Sequence, residues 1–425
     1  MSKNDEAWEK LFREHEIFSR VERDGFFKIS AAQIKKFREP RLMTKFDHKI
    51  NLPKIFSSNN LSILPVTRGD YLIGHFDTWQ KFEGIDSPII RASLPQHLQT
   101  LDSENIFSES VALNCAFASG IIADFTGDEK IFPTVAGRMS SGVFDFKIND
   151  TQKNFRCAVN VNNSQIEIDA AFEGKNFLTL LEAKRDLSED FLIRQLYYPY
   201  RAWQNKITKP IKTIFLVYSN GIFYLREYFF EEPSNYNSLR LVRQKRYSVE
   251  NTRITLGDIQ KILRDVPTNF EPPLPFPQAD KFERVINICE LLKEKILIRD
   301  EITAEYAFDE RQTNYYVDAA RYLGLLKKFR HKGTVAYELS DSGRKILSQA
   351  FKARQLNYCQ KILSHKVFAD TFKIFLERGA MPSTAEIVSL MKNSNLYRVD
   401  SEATFGRRAS TIKGWLNWII GLIDE

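Results

Sequence analysis

Two runs of strand-forming residues lie close together near the middle of the chain, at 165–172 (QIEIDAAF) and 177–184 (FLTLLEAK). The four polar residues between them include Gly174. Side chains alternate between the two faces of a strand, and a short polar connection that contains glycine is typical of a β-hairpin. We therefore expect these residues to fold as a hairpin.

Charged residues interrupt both runs at a spacing of two. Glu167 and Asp169 share one face of the first predicted strand. Glu182 and Lys184 share one face of the second strand, which is otherwise apolar, so they need a partner or a metal ion. Pairing across the hairpin can bring Asp169, Glu182 and Lys184 together at the strand ends. The alternative is a charged strand edge or a structural salt-bridge cluster.

These three side chains have the chemistry of metal-assisted phosphate ester hydrolysis. Two carboxylates can hold Mg²⁺, a hard cation that prefers oxygen ligands, and the backbone carbonyl of Ala183 can complete the set. The ion acidifies a bound water molecule and neutralises charge on a phosphoryl oxygen. A lysine beside it can orient or deprotonate the attacking water. We therefore expect Mg²⁺ as the cofactor.

The neighbouring residues predict an α/β core around the hairpin. A buried helix is expected before it, at 108–123. After it, a helix is expected from Ser188 to Trp203, although Pro199 must kink or interrupt that helix. Two apolar strands follow, at 212–218 and 221–226.

This order of elements, with an Asp and a Glu-Ala-Lys run on paired strands, resembles the core of the PD-(D/E)xK nucleases. The whole chain resembles type II restriction endonucleases of that superfamily with appended helical DNA-binding domains. The resemblance implies that Asp169 and Glu182 bind the metal ion and that Lys184 is the catalytic lysine. It also implies double-stranded DNA as the substrate, 5′-phosphate and 3′-hydroxyl ends, and a homodimer, at least on DNA.

The resemblance extends partly to the residues around the motif. Glu109 lies where several such enzymes carry an extra acidic metal ligand, although an acid early in a helix also suits the helix dipole. Gln195 lies where some members have Gln-x-x-x-Tyr, but Pro199 stands at the Tyr position. The roles of Gln195 and Glu167 therefore stay open. Ile168, rather than a proline, precedes the Asp.

A polar segment flanked by glycines precedes the hairpin at 135–146. Its Arg138, Ser140 and Ser141 are expected to approach a phosphate or a base edge of DNA. The other interpretation is an ordinary turn that leads into a strand.

The clearest boundary in the chain is a Pro-rich run at 266–277, where five prolines remove amide donors and fix φ. This run predicts a stiff, extended linker. The sequence before it mixes strands and helices, while the sequence after it is largely helical. The predicted order is an N-terminal α/β domain, the nuclease core, the linker, a winged helix and a second winged-helix-like helical domain, at 1–100, 101–265, 266–279, 280–350 and 351–425.

Basic residues are in excess mainly in the last third of the chain. Of the 61 Lys and Arg among 425 residues, 24 lie in residues 281–425 together with 18 of the 54 Asp and Glu. Such an excess hints at a polyanionic partner, although it is also common in proteins that bind nothing charged.

Residues 280–350 have the outline of a winged helix, with a third helix from about Asp309 to Leu326 and a β-wing at 327–339. The predicted DNA contacts on the third helix are Arg311, Gln312, Asn314 and Tyr315. The predicted phosphate contacts of the wing are Lys327, Lys328, Arg330, His331 and Lys332.

The second helical domain ends in a predicted helix at 401–415. On that helix Ile412 and Trp415 are expected to pack inward. The predicted base-reading residues on its outer face are Arg407, Arg408, Ser410 and Thr411. Winged helices also serve as protein-interaction modules, and basic helix faces are often merely solvated, so these alternatives stay open.

The N-terminal domain gives a weaker signal. Residues 35–49 interleave basic and aromatic side chains (KKFREPRLMTKFDHK). That pattern suits a nucleic-acid surface, and it equally suits an amphipathic scaffold surface.

Other features set the broad class of protein. No apolar run approaches the ~18 residues of a membrane span, and the first residues are polar and acidic. We therefore expect a soluble cytoplasmic protein of prokaryotic type, with no signal peptide and no membrane partner. The four cysteines are far apart, which predicts reduced core thiols rather than a zinc site or disulfides.

Two other functions remain compatible with these residues. One is a repair nuclease that depends on DNA structure or methylation and uses the same core. The other is a non-catalytic winged-helix DNA-binding regulator, in which the carboxylates form only a structural cluster.

Overall fold

The structure is a computed structural model, and it describes residues 3–85, 87–249, 253–293, 295–305, 310–331, 333–394 and 396–424. Its mixed content of about 40% helix and 26% strand confirms the mixed α/β class. The chain divides into two compact units. Unit 1 comprises Met1–Leu101, Phe107–Tyr218 and Ile222–Ser248, and unit 2 comprises Asp102–Ile106, Ser219–Gly221 and Val249–Glu425.

Unit 1 contains helices and strands in alternation. Its helices are α1 (Lys3–Glu14), α2 (Ile17–Asp24), α3 (Ala31–Lys35), α4 (Pro40–Thr44), α5 (Lys54–Ser58), α6 (Glu109–Ala118), α7 (Ile121–Thr126) and α8 (Arg194–Gln204), with a 3₁₀ turn at Lys49–Asn51. Its strands are β1 (Phe26–Ser30), β2 (Ser62–Pro65), β3 (Asp70–Gly74), β4 (Trp79–Lys81), β5 (Ile89–Arg91), β6 (Phe132–Ser140), β7 (Val143–Asn149), β8 (Arg156–Asn162), β9 (Gln165–Glu173), β10 (Leu178–Lys184), β11 (Asp190–Leu192), β12 (Ile211–Ser219), β13 (Ile222–Phe230) and β14 (Leu239–Ser248).

The N-terminal part of unit 1 packs five short helices with an antiparallel sheet in the order β1-β3-β2. Its core is aromatic, since the ring of Trp8 lies 4.8 Å from that of Phe56, edge to face, and both are fully buried. The indole nitrogen of Trp8 donates to the carbonyl oxygen of Met43 at 3.0 Å, which ties α4 to α1.

The main sheet of unit 1 joins seven of the described strands in the order β5-β14-β13-β12-β10-β9-β6. Strand β10 runs parallel to β12 and antiparallel to β9. Because it is flanked on both edges, β10 is buried along its length up to Ala183, which explains its unbroken apolar run. The connection from β10 to β12 contains α8, which contacts β9 and β10.

The predicted hairpin is confirmed as β9 and β10, paired from Glu173 opposite Leu178 to Ala170 opposite Leu181. Its turn is fixed from outside, because the buried carboxylate of Asp128 accepts hydrogen bonds from the amides of Asn176 (2.9 Å) and Phe177 (3.2 Å).

Two helices of unit 1 differ from expectation. The helix expected at 108–123 is divided into α6 and α7 by Gly120, which adopts a left-handed φ of 76°. The helix expected from Ser188 begins only at Arg194, because Asp190–Leu192 pairs as β11 with β4, a distant partner that local sequence does not reveal. Pro199 lies inside α8, and the helix continues past it to Gln204.

Unit 2 is mostly helical, and among its described residues no helix has the length and apolar character needed to cross a membrane. Its helices are α9 (Leu256–Asp265), α10 (Phe282–Leu291), α11 (Arg299–Glu305), α12 (Glu310–Tyr322), α13 (Asp341–Leu347), α14 (Phe351–Leu363), α15 (Lys366–Arg378), α16 (Thr384–Lys392) and α17 (Glu402–Ile420). Its strands are β15 (Leu297–Ile298), β16 (Leu326–His331) and β17 (Thr334–Leu339), in the sheet order β15-β17-β16.

Three expectations for unit 2 need correction. The third helix ends at Tyr322 rather than Leu326, because Gly324 adopts a left-handed φ and the chain then enters β16. Asp309, its expected start, and Lys332 of the expected wing lie outside the described residues. The Pro-rich run belongs to unit 2 instead of joining two bodies, since Phe276 is buried and stacks 5.8 Å from Phe368. The described residues after 350 contain no strand and therefore form no β-wing of the expected second winged helix.

Candidate active site

A bulge in the sheet positions Asp169. Gly137 of β6 pairs with Ile168 of β9, and Val135 pairs with Ala171, so Asp169 and Ala170 together face only Ala136. An extra residue of this kind bends the strand and redirects the side chain beside it. The ladder between β9 and β10 stops at Ala170, next to Asp169.

Beyond the end of this ladder, the Asp169 carboxylate accepts a hydrogen bond from the backbone of β10. Its Oδ2 accepts a hydrogen bond from the backbone amide of Ala183 at 2.8 Å. This contact holds the carboxylate beside the short run Glu182-Ala183-Lys184 at the end of β10. The predicted convergence of Asp169 with that run is therefore found in the structure.

Glu182 receives two hydrogen bonds on a single oxygen. Lys184 Nζ donates to Glu182 Oε1 at 2.5 Å, and Gln195 Nε2 donates to the same atom at 2.6 Å. Lys184 also donates to the carbonyl oxygen of Ala183 at 3.3 Å. Gln195, whose role the sequence left open, therefore lies in direct contact with the site from the second residue of α8.

Burial controls the charge state of the cluster. It raises the pKa of Glu182 to about 7, an effect that Lys184 opposes and Asp169 reinforces. Burial also raises the pKa of Glu109 above its usual range, with Lys184 again acting in the opposite direction. Burial acts to lower the pKa of Lys184, but the surrounding carboxylates outweigh it and raise that pKa above its ordinary value. Lys184 therefore stays protonated at neutral pH.

A cavity of about 240 Å³ opens onto this cluster. Its lining mixes acidic and basic side chains with few apolar ones. The lining residues are Arg41, Lys45, Asp47, Glu109, Arg138, Ile166, Glu167, Asp169, Glu182, Lys184, Arg194, Gln195 and Pro199. Five carboxylates and five cations thus face one small space, which suits an ionic substrate rather than an apolar one.

The oxygen donors beside the cavity suit a hard divalent cation. Asp169, Glu182, Glu109 and the Ala183 carbonyl would supply them. In the described parts of the chain, however, no three His, Cys, Asp or Glu side chains are grouped as metal ligands. Lys184 Nζ instead donates hydrogen bonds to Glu182 Oε1 and to the Ala183 carbonyl oxygen. These oxygens fit Mg²⁺ as ligands, but the ammonium group must move away from them before the ion can bind.

The residues predicted before the hairpin lie in different environments. Arg138 is on β6, a strand rather than a loop, and its guanidinium lies 3.4 Å from the Glu167 carboxylate, with both side chains about half exposed. Ser140 is half-buried and donates to the Asn163 side chain at 2.8 Å. Ser141 is only 1% exposed and donates to the Gly142 carbonyl, so its predicted approach to DNA is wrong.

In unit 2, the predicted contact residues are only partly on the surface. Arg311 is exposed and donates to the Tyr315 hydroxyl at 2.5 Å, while Gln312, Asn314 and Tyr315 are half-buried. On α17, Arg407 and Ser410 are exposed and Arg408 is half-buried. Thr411 is 1% exposed, so its predicted outward orientation is wrong; the helix continues to Ile420, and that turn packs inward.

The sequence did not assign several residues to this site. Arg41, Lys45 and Asp47 reach the cavity from the N-terminal part of unit 1, and Arg194 reaches it from α8. The only signal for the first three was the basic and aromatic pattern at 35–49. For Arg194, the local signal was its position directly before Gln195 in the helix expected after the hairpin.

Buried His48 connects the same segment to the chain that follows β10. Its Nε2 lies 3.2 Å from Asp186 Oδ2, and its Nδ1 lies 2.8 Å from the Asp190 carbonyl oxygen and 3.2 Å from Asp190 Oδ1. Burial acts to lower the pKa of His48, but the two carboxylates raise it to about 10. His48 is therefore a cation that bridges two acids at neutral pH.

Three regions of the chain match protein families. Residues 5–73, 74–248 and 284–424 match families described as domains of unknown function (DUF6996, DUF6997 and DUF7226, respectively). Asp169, Glu182 and Lys184 lie in the second region, whereas Arg41 and Lys45 lie in the first, so two matched regions line one cavity. No curated protein and no solved structure matches the chain.

Proposed function

We propose that this protein is a Mg²⁺-dependent endonuclease that cuts double-stranded DNA at specific sequences, like a type II restriction enzyme. The observation that carries the proposal is the placement of Asp169, Glu182 and Lys184 on one side of a charged cavity. The surrounding order of α6, the β9–β10 hairpin, α8 and β12 supports a PD-(D/E)xK core. Acids and a lysine in this arrangement suit attack on a phosphodiester.

The chain's own residues have separate tasks in this proposal. Lys184 keeps its proton, so it acts as a donor that orients the attacking water and offsets charge on the phosphoryl oxygens rather than as the base. Gln195 donates to Glu182 and fixes the carboxylate. Asp169 is fixed in turn by the amide of Ala183.

The metal ion would be held by Asp169, Glu182, Glu109 and the carbonyl oxygen of Ala183. When bound, it supplies an acidified water molecule and positive charge at the phosphoryl oxygen. Hydrolysis of this kind leaves a 5′-phosphate and a 3′-hydroxyl.

Unit 2 is proposed to bind the DNA. The order α10, α11, α12, β16, β17 is that of a winged helix, and exposed Arg311, Lys327, Lys328 and Arg330 suit phosphate contacts. Exposed Arg407 and Ser410 on α17 can reach base edges. A cut in both strands needs two active sites, so we propose a homodimer on DNA.

A comparison of two lysine variants tests the catalytic assignment. Lys184→Ala is expected to lower the Mg²⁺-dependent cleavage rate about 10²–10³-fold, because a donor to the developing charge is lost. Lys209→Ala is the matched control, since Lys209 pairs with Glu173 at the other end of the same hairpin. Cleavage is followed on supercoiled plasmid, and DNA affinity is measured with Ca²⁺ in place of Mg²⁺. Equal cleavage by both variants would overturn the assignment.

A further inference from the structure

Two cations face the catalytic residues from outside the nuclease core. Arg41 and Lys45 line the cavity together with Asp169, Glu182 and Lys184. Arg41 lies in α4, and Lys45 directly follows the last residue of that helix with an extended backbone. Both side chains are exposed to the cavity and to solvent.

The backbone beneath these two cations is firmly held. Met43, between them in sequence, is fully buried, and its carbonyl oxygen accepts the hydrogen bond from the Trp8 indole. The carbonyl oxygen of Leu42 accepts a second hydrogen bond from the Asn4 side chain at 2.9 Å. The backbone that carries the two cations is therefore held in place, and only their own side chains need to be ordered by a ligand.

His48 fixes the same segment to the catalytic strand. Its partners Asp186 and Asp190 follow Lys184 by only two and six residues. The distance between the two cations and the end of β10 is thus set by a buried, charged link rather than by a flexible loop. Such a link is expected where two walls of one binding site must keep their spacing.

Arg41 and Lys45 are at most weakly paired with acidic side chains, so their side of the cavity can accept an anion. Lys45 Nζ lies 3.7 Å from the half-buried Asp47, and the Lys45 side chain is 56% exposed, so solvent weakens this pair. Within the described part of the chain, the Arg41 guanidinium has no ion-pair partner. Arg138, by contrast, is engaged by Glu167. A guanidinium and an ammonium group that line the same cavity match the oxygens of a phosphate diester.

We propose that Arg41 and Lys45 form a phosphate-binding wall that holds a phosphodiester group of the DNA strand against the carboxylates. The inference rests on the proposed function for its substrate, and it adds that the active site is composite, built from the regions 5–73 and 74–248. Arg41 and Lys45 bind and orient the strand, while Lys184 serves the reacting phosphate.

Direct binding of a small strand fragment tests this wall without any cleavage. The probe is thymidine 3′,5′-bisphosphate with Ca²⁺, measured by calorimetry on the full chain. The double variant Arg41→Gln/Lys45→Gln is expected to bind it at least about tenfold more weakly than wild type, because charge-assisted hydrogen bonds are lost. Lys10→Gln/Lys35→Gln removes the same charge from exposed lysines of unit 1 outside the cavity and should bind like wild type. Arg41→Lys/Lys45→Arg should keep most of the affinity.

The outcomes separate this inference from the proposed function. Probe binding that is lost only in the Arg41/Lys45 variant, together with no DNA cleavage by wild type, would uphold the phosphate wall and reject the nuclease. No binding of the probe by wild type, or equal binding by both double variants, would overturn the wall. If wild type cuts DNA and the Arg41/Lys45 variant cuts at the same single-turnover rate, the inference also fails. Matching melting temperatures check that the variants are folded.

Discussion

Lys184 links the chemistry of the site to its stability. Its ammonium group contacts the Glu182 carboxylate and the Ala183 carbonyl oxygen, two of the atoms proposed to hold Mg²⁺. A buried carboxylate without a cation is costly, so the lysine stabilises the fold where the ion would also bind. In the proposed site, the lysine and the ion would therefore compete for the same oxygens.

This competition predicts opposite effects of Lys184→Ala on metal binding and on cleavage. With the ammonium group gone and the carboxylates retained, Mg²⁺ or Mn²⁺ should bind about tenfold more tightly, while the cleavage rate falls about 10²–10³-fold. Calorimetric titration of wild type, Lys184→Ala and Lys209→Ala measures the affinities. A weaker ion affinity in Lys184→Ala than in the control would contradict the assigned ligands.

The residues of the candidate site were predictable from sequence only where their spacing along one strand or helix places them together. Asp169, Glu182 and Lys184 were found because the strand period places them on shared faces and a hairpin joins the strands. Arg41 was not assigned to the site, because its approach depends on packing between segments far apart in sequence. Ser141 and Thr411 were misjudged, because a polar residue looks the same in sequence whether it is buried or exposed.

The β9–β10 hairpin is the element that carries the site, and its turn depends on Asp128 and Gly174. The Asp128 carboxylate is nearly fully buried and accepts the turn amides. A methyl group on Gly174 would lie 2.2 Å from Asp128 Oδ2, well inside van der Waals contact. The turn thus tolerates no side chain at position 174 unless Asp128 moves.

Gly174→Ala is therefore expected to destabilise the protein by about 1–3 kcal/mol, the usual cost of overpacking. Gly84→Ala is the control, because an added methyl group there meets no atom within 4 Å, and it should change the unfolding free energy by less than about 0.5 kcal/mol. Urea unfolding followed by fluorescence measures both. Equal stability of the two variants would argue against Asp128 as the support of the turn.

The segment that presents Arg41 and Lys45 depends on a second element-level contact, the link of His48 with Asp186 and Asp190. His48→Ala leaves two largely buried acids, 18% and 17% exposed, without their cation and should cost about 3–5 kcal/mol. His97→Ala, at an exposed histidine, should be neutral. Urea unfolding at pH 6 gives both values, and a neutral His48→Ala would contradict a charged link.

The same link predicts a pH dependence of stability. The pKa of His48 is raised from 6.5 to about 10 in the folded protein, so its contribution is fully present below pH 6.5 and disappears as the pH rises towards 10. The difference in unfolding free energy between wild type and His48→Ala should shrink steadily across that range. A difference that is constant from pH 6 to pH 10 would contradict the raised pKa of His48 in the folded protein.

Helices and strands were predictable where the spacing of apolar residues follows one structural period. They were not predictable where pairing with a distant strand determines the structure. The hairpin was predictable because both runs alternate and Gly174 marks the turn. Strand β11 was predicted to be the start of a helix, because its residues suit a helix N-terminus while its pairing with β4 is invisible locally. The division between α6 and α7 at Gly120 was missed for a smaller reason, since glycine is tolerated inside many helices.

Across the whole molecule, the basic excess and the candidate chemistry lie in different units. Residues 281–425 lie in unit 2, while the paired acids and Lys184 lie in unit 1. The Pro-rich run was expected to separate two bodies, but it is packed within unit 2 by Phe276 and Tyr322. The run forms no helix or strand, as its proline content predicts, but that content says nothing about what covers the run.

The most direct test of the central claim is the mapping of DNA ends. Purified protein is incubated with plasmid and phage DNA, methylated and unmethylated, in Mg²⁺ or in chelator, and the ends are sequenced. We predict discrete double-strand ends with 5′-phosphates at one fixed sequence, formed only with Mg²⁺ and about 10²–10³-fold more slowly by Lys184→Ala. Cuts that follow branches or methyl groups would favour a repair enzyme. Intact DNA under every condition would contradict the nuclease.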